Sequence, residues 1–327
     1  MDAALRTFLD GLIDYAGLFP PAGLDLNRAI TEYARHREGS DAWMLGRFVV
    51  SCGRLPEART LAVDHPAKDG RPWRFAALVG GGETEADVLG RLRSEGDILA
   101  AVRGRGGVPR PFVVEALESR LPGDVLSSGK PERVRSFVVR ALETLEDAVP
   151  STIEFYVEGA PGDGDAAIDR AIVEGLAGVG GSAKVGVKLR CGGQDETSFP
   201  PVSRVANLLV HCKASNVPVK FTGGLHWPIR RTLGEQAYHG FVNVLGAAVL
   251  VHAGAIDGAD VAACVGETEP SAFSFHEGVF SWRARRASTQ AIAKARKSMV
   301  AGFGSAFFDD PRKGLKALGW WPEVPAA

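Results

Sequence analysis

Cysteine is scarce, net charge is almost absent, and no apolar run is long; each shortage excludes a class of protein. Four cysteines among 327 residues, Cys52, Cys191, Cys212 and Cys264, are widely scattered and form no Cys-x-x-Cys pair. That spacing argues against a disulfide framework and reads as the reduced thiols of a cytoplasmic protein. A formal net charge of −1 gives no reason to expect nucleic acid or an anionic membrane as a partner. The N-terminus, Met1-Asp2-Ala3-Ala4-Leu5-Arg6, lacks the basic-then-apolar order of a signal peptide. The most apolar stretch, Phe241 to Ala255, is too short to span a bilayer and is interrupted by Asn243 and His252. No His-x-His or His-Glu-x-x-His spacing announces a metal site. A soluble, intracellular chain is expected, with no metal and no cofactor.

What is present is an ordinary globular composition, 45% hydrophobic and 24% charged, at a length that suits one large α/β domain or two medium ones. A rhythm recurs along it: a short apolar run, a Gly- or Pro-rich turn, then an amphipathic stretch. Strand candidates are Gly11–Tyr15, Arg47–Ser51, Trp73–Val79, Pro111–Ala116, Thr152–Val157, Lys184–Leu189 and Val217–Thr222. Phe273–Phe275 with Val279–Trp282 serves as a hairpin-extended last strand. Helical patterns follow: Leu26–Arg37, Pro56–Val63, a helix opening near Glu83, Pro131–Val149, Asp165–Leu176, Val202–Ser215, the sequence up to His252, and Thr289–Val300. Arg283-Ala284-Arg285-Arg286 reads as a solvated helix entry. Eight strand–helix units predict a closed (β/α)₈ (TIM) barrel spanning residues 1–327 as one domain, with an open doubly wound sheet as the alternative.

Two lysines stand inside apolar strand candidates: Lys188 in Val185-Gly186-Val187-Lys188-Leu189-Arg190, and Lys220 in Val217-Pro218-Val219-Lys220-Phe221-Thr222-Gly223-Gly224. A buried lysine is costly without a partner, so two in consecutive strands point to a site that uses an amine. Side chains two apart share a strand face. Lys188 is therefore co-facial with Arg190, Lys220 with Thr222, and Glu154, Tyr156 and Glu158 with one another. Glu115 adds a carboxylate from the preceding strand. At the carboxyl ends of barrel strands these groups would line the mouth. A lysine desolvated beside another cation has a depressed pKa and is a nucleophile at neutral pH. The structural counterpart is a salt-bridged interior layer, such as Lys188–Glu158 and Lys220–Glu115.

Around the lysines, Arg190 could grip an anionic group, and Gly223-Gly224 and Gly192-Gly193 could bring backbone amides to it. His226, His239 and Asn243 could orient substrate. His239 and Asn243, four apart, would share a helix face. The histidines with Glu115 or Glu158 form the metal alternative. Asp14 and Tyr15 fall at the end of the first strand, before Phe19-Pro20-Pro21. That loop could wall the mouth or seat Phe19 in a gap. Gly302-Phe303-Gly304-Ser305 reads as another anion-holding turn, and Cys191 as a small buried hydrophobe.

The segments Val187-Lys188-Leu189-Arg190 and Val219-Lys220-Phe221-Thr222-Gly223-Gly224-Leu225 resemble the sixth- and seventh-strand lysine motifs of class I aldolases, nearest the deoxyribose-phosphate aldolase group. The resemblance implies that Lys188 forms a Schiff base and that Lys220 lowers its pKa. It also implies that a fourth-strand carboxylate, Glu115 in place of aspartate, relays protons. It departs where Leu189, Arg190 and Cys191 replace small hydroxyl residues and glycine, which leaves Lys220 as a rival nucleophile. The expected activity is carbon–carbon lyase chemistry on a small anionic carbonyl compound, with Glu115 or Glu158 as the proton shuttle. A metal-dependent lyase, isomerase or hydrolase and a non-catalytic ligand-binding barrel are the alternatives. A homo-oligomer is possible, but no interface can be read.

Overall fold

The computed structural model describes residues 1–66, 70–103 and 112–321. Eight parallel strands close into a barrel: β1 Ile13–Tyr15, β2 Leu45–Ser51, β3 Trp73–Leu78, β4 Phe112–Arg120, β5 Glu154–Glu158, β6 Lys184–Arg190, β7 Val219–Thr222 and β8 Val300–Ser305. Going round the barrel, β1 pairs with both β2 and β8, which closes the ring. Helices fill the outside, so the chain is a (β/α)₈ barrel. No described helix is long and apolar enough to cross a membrane.

Strand alternation divides the side chains between two cores. On β5, Phe155 and Val157 point outward to the helices, while Glu154, Tyr156 and Glu158 point inward. On β6, Val185, Val187 and Leu189 join the outer core, leaving Lys188 and Arg190 inside. The interior carries its own small apolar layer of Val49, Ala76, Ala116 and Tyr156. This layer separates two charged levels, one at each end of the barrel.

Four expectations change. The eighth strand is Val300–Ser305, not the hairpin upstream: Ile13 pairs with Phe303 and Tyr15 with Ser305. The supposed turn at Gly302–Ser305 is thus barrel wall. Phe273–His276, Val279–Trp282 and Arg285–Ser288 form a separate three-stranded antiparallel sheet. Arg283 and Ala284 therefore form the turn between the second and third of these strands, with Arg283 at φ 51° paired to Glu267. Arg285 and Arg286 open the third strand, so the run is not a helix entry. Finally, residues 223–240 are not helical. They form a loop with a small hairpin, Arg231–Leu233 against Gln236–Tyr238, and the helix begins at Phe241.

That helix, Phe241–His252, is apolar all round because it is enclosed on both sides. Phe241 stacks on Phe303 of β8 at 5.3 Å, while Gly246 lies against the ring of Phe280 in the three-stranded sheet. The apolar run is accounted for by burial within the protein. Of the expected strand Pro111–Ala116, Pro111 lies outside the described residues.

Candidate active site

The fourth strand runs on to Arg120, past the expected end at Ala116, and carries a bulge at Glu115. Val114 pairs with Phe75 and Ala116 with Ala76, so Glu115 is the extra residue. The consequence is a reassignment. Glu115 faces the amino-terminal end of the barrel, where it binds Arg47 at 3.0 Å and Arg74 at 2.8 Å. Arg47 also reaches Glu154 at 2.9 Å, and Lys184 lies 3.6 Å from Glu154. These groups make the lower charged level. Glu115 is therefore remote from Lys220, contrary to expectation.

The carboxylate that does meet the lysines is Glu118. Its two oxygens are shared: Oε2 lies 2.7 Å from Nζ of Lys188 and Oε1 lies 2.6 Å from Nζ of Lys220. Lys188 also pairs with Glu158 at 2.9 Å, and Lys220 with Asp14 of β1. Arg190 donates its Nε to Glu158 at 2.9 Å. Registry explains the cluster, since Glu158 is aligned with Lys188 and Lys188 with Lys220 across adjacent strands. Three cations and three carboxylates thus converge, with Lys220 1% and Lys188 7% exposed. The ring of Tyr156 forms the floor, 5.7 Å below Nζ of Lys220.

Burial alone would lower the pKa of both lysines, but the carboxylates reverse the sign. Desolvation depresses Lys188, and Glu118 and Glu158 then raise it above the ordinary lysine value. Lys220 follows the same pattern, raised by Asp14 and Glu118 against its burial and against Arg47. Glu118 and Glu158, despite burial, are held below the usual carboxylate range by the cations around them. The resting lysines are ammonium ions, so the expected depressed pKa is not the resting condition. Neighbouring charges of opposite sign outnumber the like charge each lysine feels.

Above this cluster opens a cavity of about 1130 Å³. Lys188, Lys220, Glu118, Glu158, Arg190 and Thr222 line it. So do Gly223, Gly224, Gly192, Gly193 and His226, together with Phe19, Pro20 and Pro21. The diproline loop is therefore a wall of the mouth. Gly223 and Gly224, at φ 67° and 69°, are glycines for a packing reason as well: a Cβ on either would strike the carbonyl of Gly192 or Cys191.

No family model matches this chain, and no curated protein matches it significantly in sequence.

His239 and Asn243 do not line the cavity. His239 precedes the helix and lies buried between the Pro200 carbonyl, 2.8 Å from Nε2, and the Arg230 guanidinium, 3.0 Å from Nδ1. Burial pushes its pKa down to about 4. Asn243 donates to the carbonyls of Cys264 and Glu267 and accepts from the Arg230 amide at 2.8 Å. Both residues tie loops to the barrel. Among the described residues, no three His, Cys, Asp or Glu side chains come together in an arrangement able to hold a metal ion. Cys191 is buried, its thiol pushed up to about 12 by desolvation, as suits a packing residue.

Asp14 and Glu118 mark what alternation could and could not disclose. Ala116-Leu117-Glu118 continues the period of two, so Glu118 shares the face of Ala116; the polar Glu118-Ser119-Arg120 that follows resembles a turn. Asp14 owes its position to Gly46, on which a Cβ would strike its Oδ1, while its carboxylate also accepts from the Arg47 amide at 2.6 Å.

Proposed function

We propose that this barrel is an aldolase-like carbon–carbon lyase that acts on a small anionic carbonyl compound through a Schiff base on Lys188. One observation carries the reading: a single carboxylate, Glu118, joins two buried lysine ammonium groups at the base of a large mouth cavity. Lys220 is fixed by Asp14, Glu118 and the Tyr156 ring and is almost fully enclosed, so it is the permanent cation. Lys188 is the more exposed of the two and is the nucleophile.

The chemistry follows from proton positions. Lys188 loses its proton to Glu118 or Glu158, each within hydrogen-bond reach, and the free amine attacks the substrate carbonyl carbon. The protonated carboxyl returns that proton to the carbinolamine hydroxyl, which leaves as water and gives the iminium ion. Cleavage of the carbon–carbon bond sends its electron pair into the iminium. The β-hydroxyl proton passes to a carboxylate as the aldehyde fragment departs. Protonation of the resulting enamine and hydrolysis by water restore Lys188. Lys220 keeps Glu118 ionised between steps, ready to accept again.

Borohydride reduction in the presence of a panel of short 2-oxo acids and aldehydes, followed by peptide mapping, tests this. The expected adduct is on Lys188, and Lys188→Met abolishes it. Adduct on neither lysine would sink the reading.

The second reading is a ligand-binding barrel without turnover, favoured by the complete pairing of the six charges. Ligand-induced thermal stabilisation with no product formed across the same panel supports it.

A further inference from the structure

The mouth cavity is larger than a short carbonyl compound needs, and its lining holds both aromatic rings and arginines. The loops after β6, β7 and β8 supply a continuous row of rings. Phe199 meets Tyr238 edge-on at 5.0 Å, Tyr238 meets Trp227 at 5.6 Å, and Trp227 meets His226 at 5.7 Å. His226 then lies 6.4 Å from Phe307. All five line the cavity. Edge-to-face rows of this kind present ring faces and edges to a planar guest.

The ends of β4 and β6 add arginines to the same lining. Arg120, at the end of β4, and Arg190, at the end of β6, both approach Glu158, at 4.0 and 2.9 Å. Arg190 uses only its Nε there, so among the described residues its terminal amines remain for a ligand. A planar guanidinium fork matches a carboxylate bidentately.

The β7–β8 side is poorly suited to phosphate. The space beside Gly223 and Gly224 is taken by carbonyl oxygens of the β6 loop. Asp309 and Asp310 occupy the first turn of the helix Asp309–Ala317, where an anion would otherwise be drawn, and Asp310 lines the cavity.

We propose that the site takes a monocarboxylate with a planar aromatic body. The ring lies along the Trp227–Tyr238 row and the carboxylate on Arg190 and Arg120. The substrate's reacting carbonyl over Lys188 rests on the imine reading; the binding of ring and carboxylate does not.

Calorimetric titration with 3-phenylpropanoate and with propanoate tests the inference, because neither acid has a carbonyl and neither can form an imine. The phenyl acid is expected to bind at least about tenfold more tightly. Trp227→Ala and Tyr238→Ala each reduce that ratio, whereas Arg120→Met, at an exposed position, weakens both acids alike. Inorganic phosphate does not displace the phenyl acid. Equal affinities, a ratio unchanged in both aromatic variants, or displacement by phosphate would each overturn the assignment. Selective binding of the phenyl acid by a protein that yields no borohydride adduct supports this inference while removing the imine; an adduct without selectivity does the reverse.

Discussion

At Glu118 one carboxylate holds two ammonium groups, which makes it the residue whose loss the cluster can least absorb. Removing one member of a buried ion network leaves an uncompensated charge and costs about 3–5 kcal/mol. Glu118→Gln is expected to lower stability by that order in urea denaturation. It also withdraws a raising influence from both lysines, so the pH midpoint of borohydride trapping moves downward while turnover falls. An unchanged midpoint would show that Glu118 does not govern Lys188. The two lysines were visible in the sequence because a charged residue in an apolar strand is conspicuous. Glu118 was not, because a bulge three residues earlier interrupts the simple count and the polar residues after it imitate a loop end. The direction of the lysine pKa shifts was equally hidden. Burial can be inferred from one strand, but the Asp14, Glu118 and Glu158 that oppose it come from three others.

Among the elements, β2 to β7 were largely legible because their apolar runs are buried on the outer face by helices and bounded by clear turns. The eighth strand was not. Gly302 and Gly304 deprive it of strand-forming side chains, and its place is fixed by pairing with β1 and β7, which no local pattern reveals. The hydrophobic hairpin upstream drew the assignment instead, because it has the stronger strand composition. The junction of β1 and β2 gives a prediction at this scale. A methyl group at Gly46 would collide with Asp14 and press on the carbonyls of Gly11 and Ile13, each 3.2 Å from the new atom. Gly46→Ala is expected to cost about 1–3 kcal/mol, the usual range for overpacking a tight interior. It also displaces Asp14 from Lys220. Urea midpoints check the first effect. Loss of trapping yield checks the second, since a displaced Asp14 leaves Lys220 competing for Glu118.

For the whole molecule, stability should form a plateau with two unequal limbs. Glu118 and Glu158 have folded pKa values below about 4.3, the unfolded value, so their contribution is present above that pH and is lost on further acidification. Lys188 and Lys220 are raised above about 10.4, so theirs is full below that pH and is lost as alkali passes the folded values. Buried His36 and His239, both lowered to about 4 chiefly by desolvation, start the acid limb earlier. Between about 4 and 6.5 the unfolded chain binds protons that these two rings refuse, at about 1.4 kcal/mol per histidine per pH unit. Urea midpoints from pH 4 to pH 11 should therefore fall first below about 6.5 and, on the alkaline side, from about 8.5. There the unfolded chain begins to release thiol protons that buried Cys52, Cys191, Cys212 and Cys264 retain, and the lysines add to the loss beyond about 10.4. A midpoint flat down to pH 4.5 would contradict the burial of the two rings.

The Tyr156 layer, with the Arg47–Glu115–Glu154 level beneath it, seals the barrel at one end. Traffic is therefore through a single doorway. Whatever is tethered at position 188 sits at the blind end, behind anything lodged among the rings nearer the exit. For a reaction that splits one molecule in two, this imposes a queue: the outer fragment must depart before the inner one, and in the joining direction the inner fragment must arrive first.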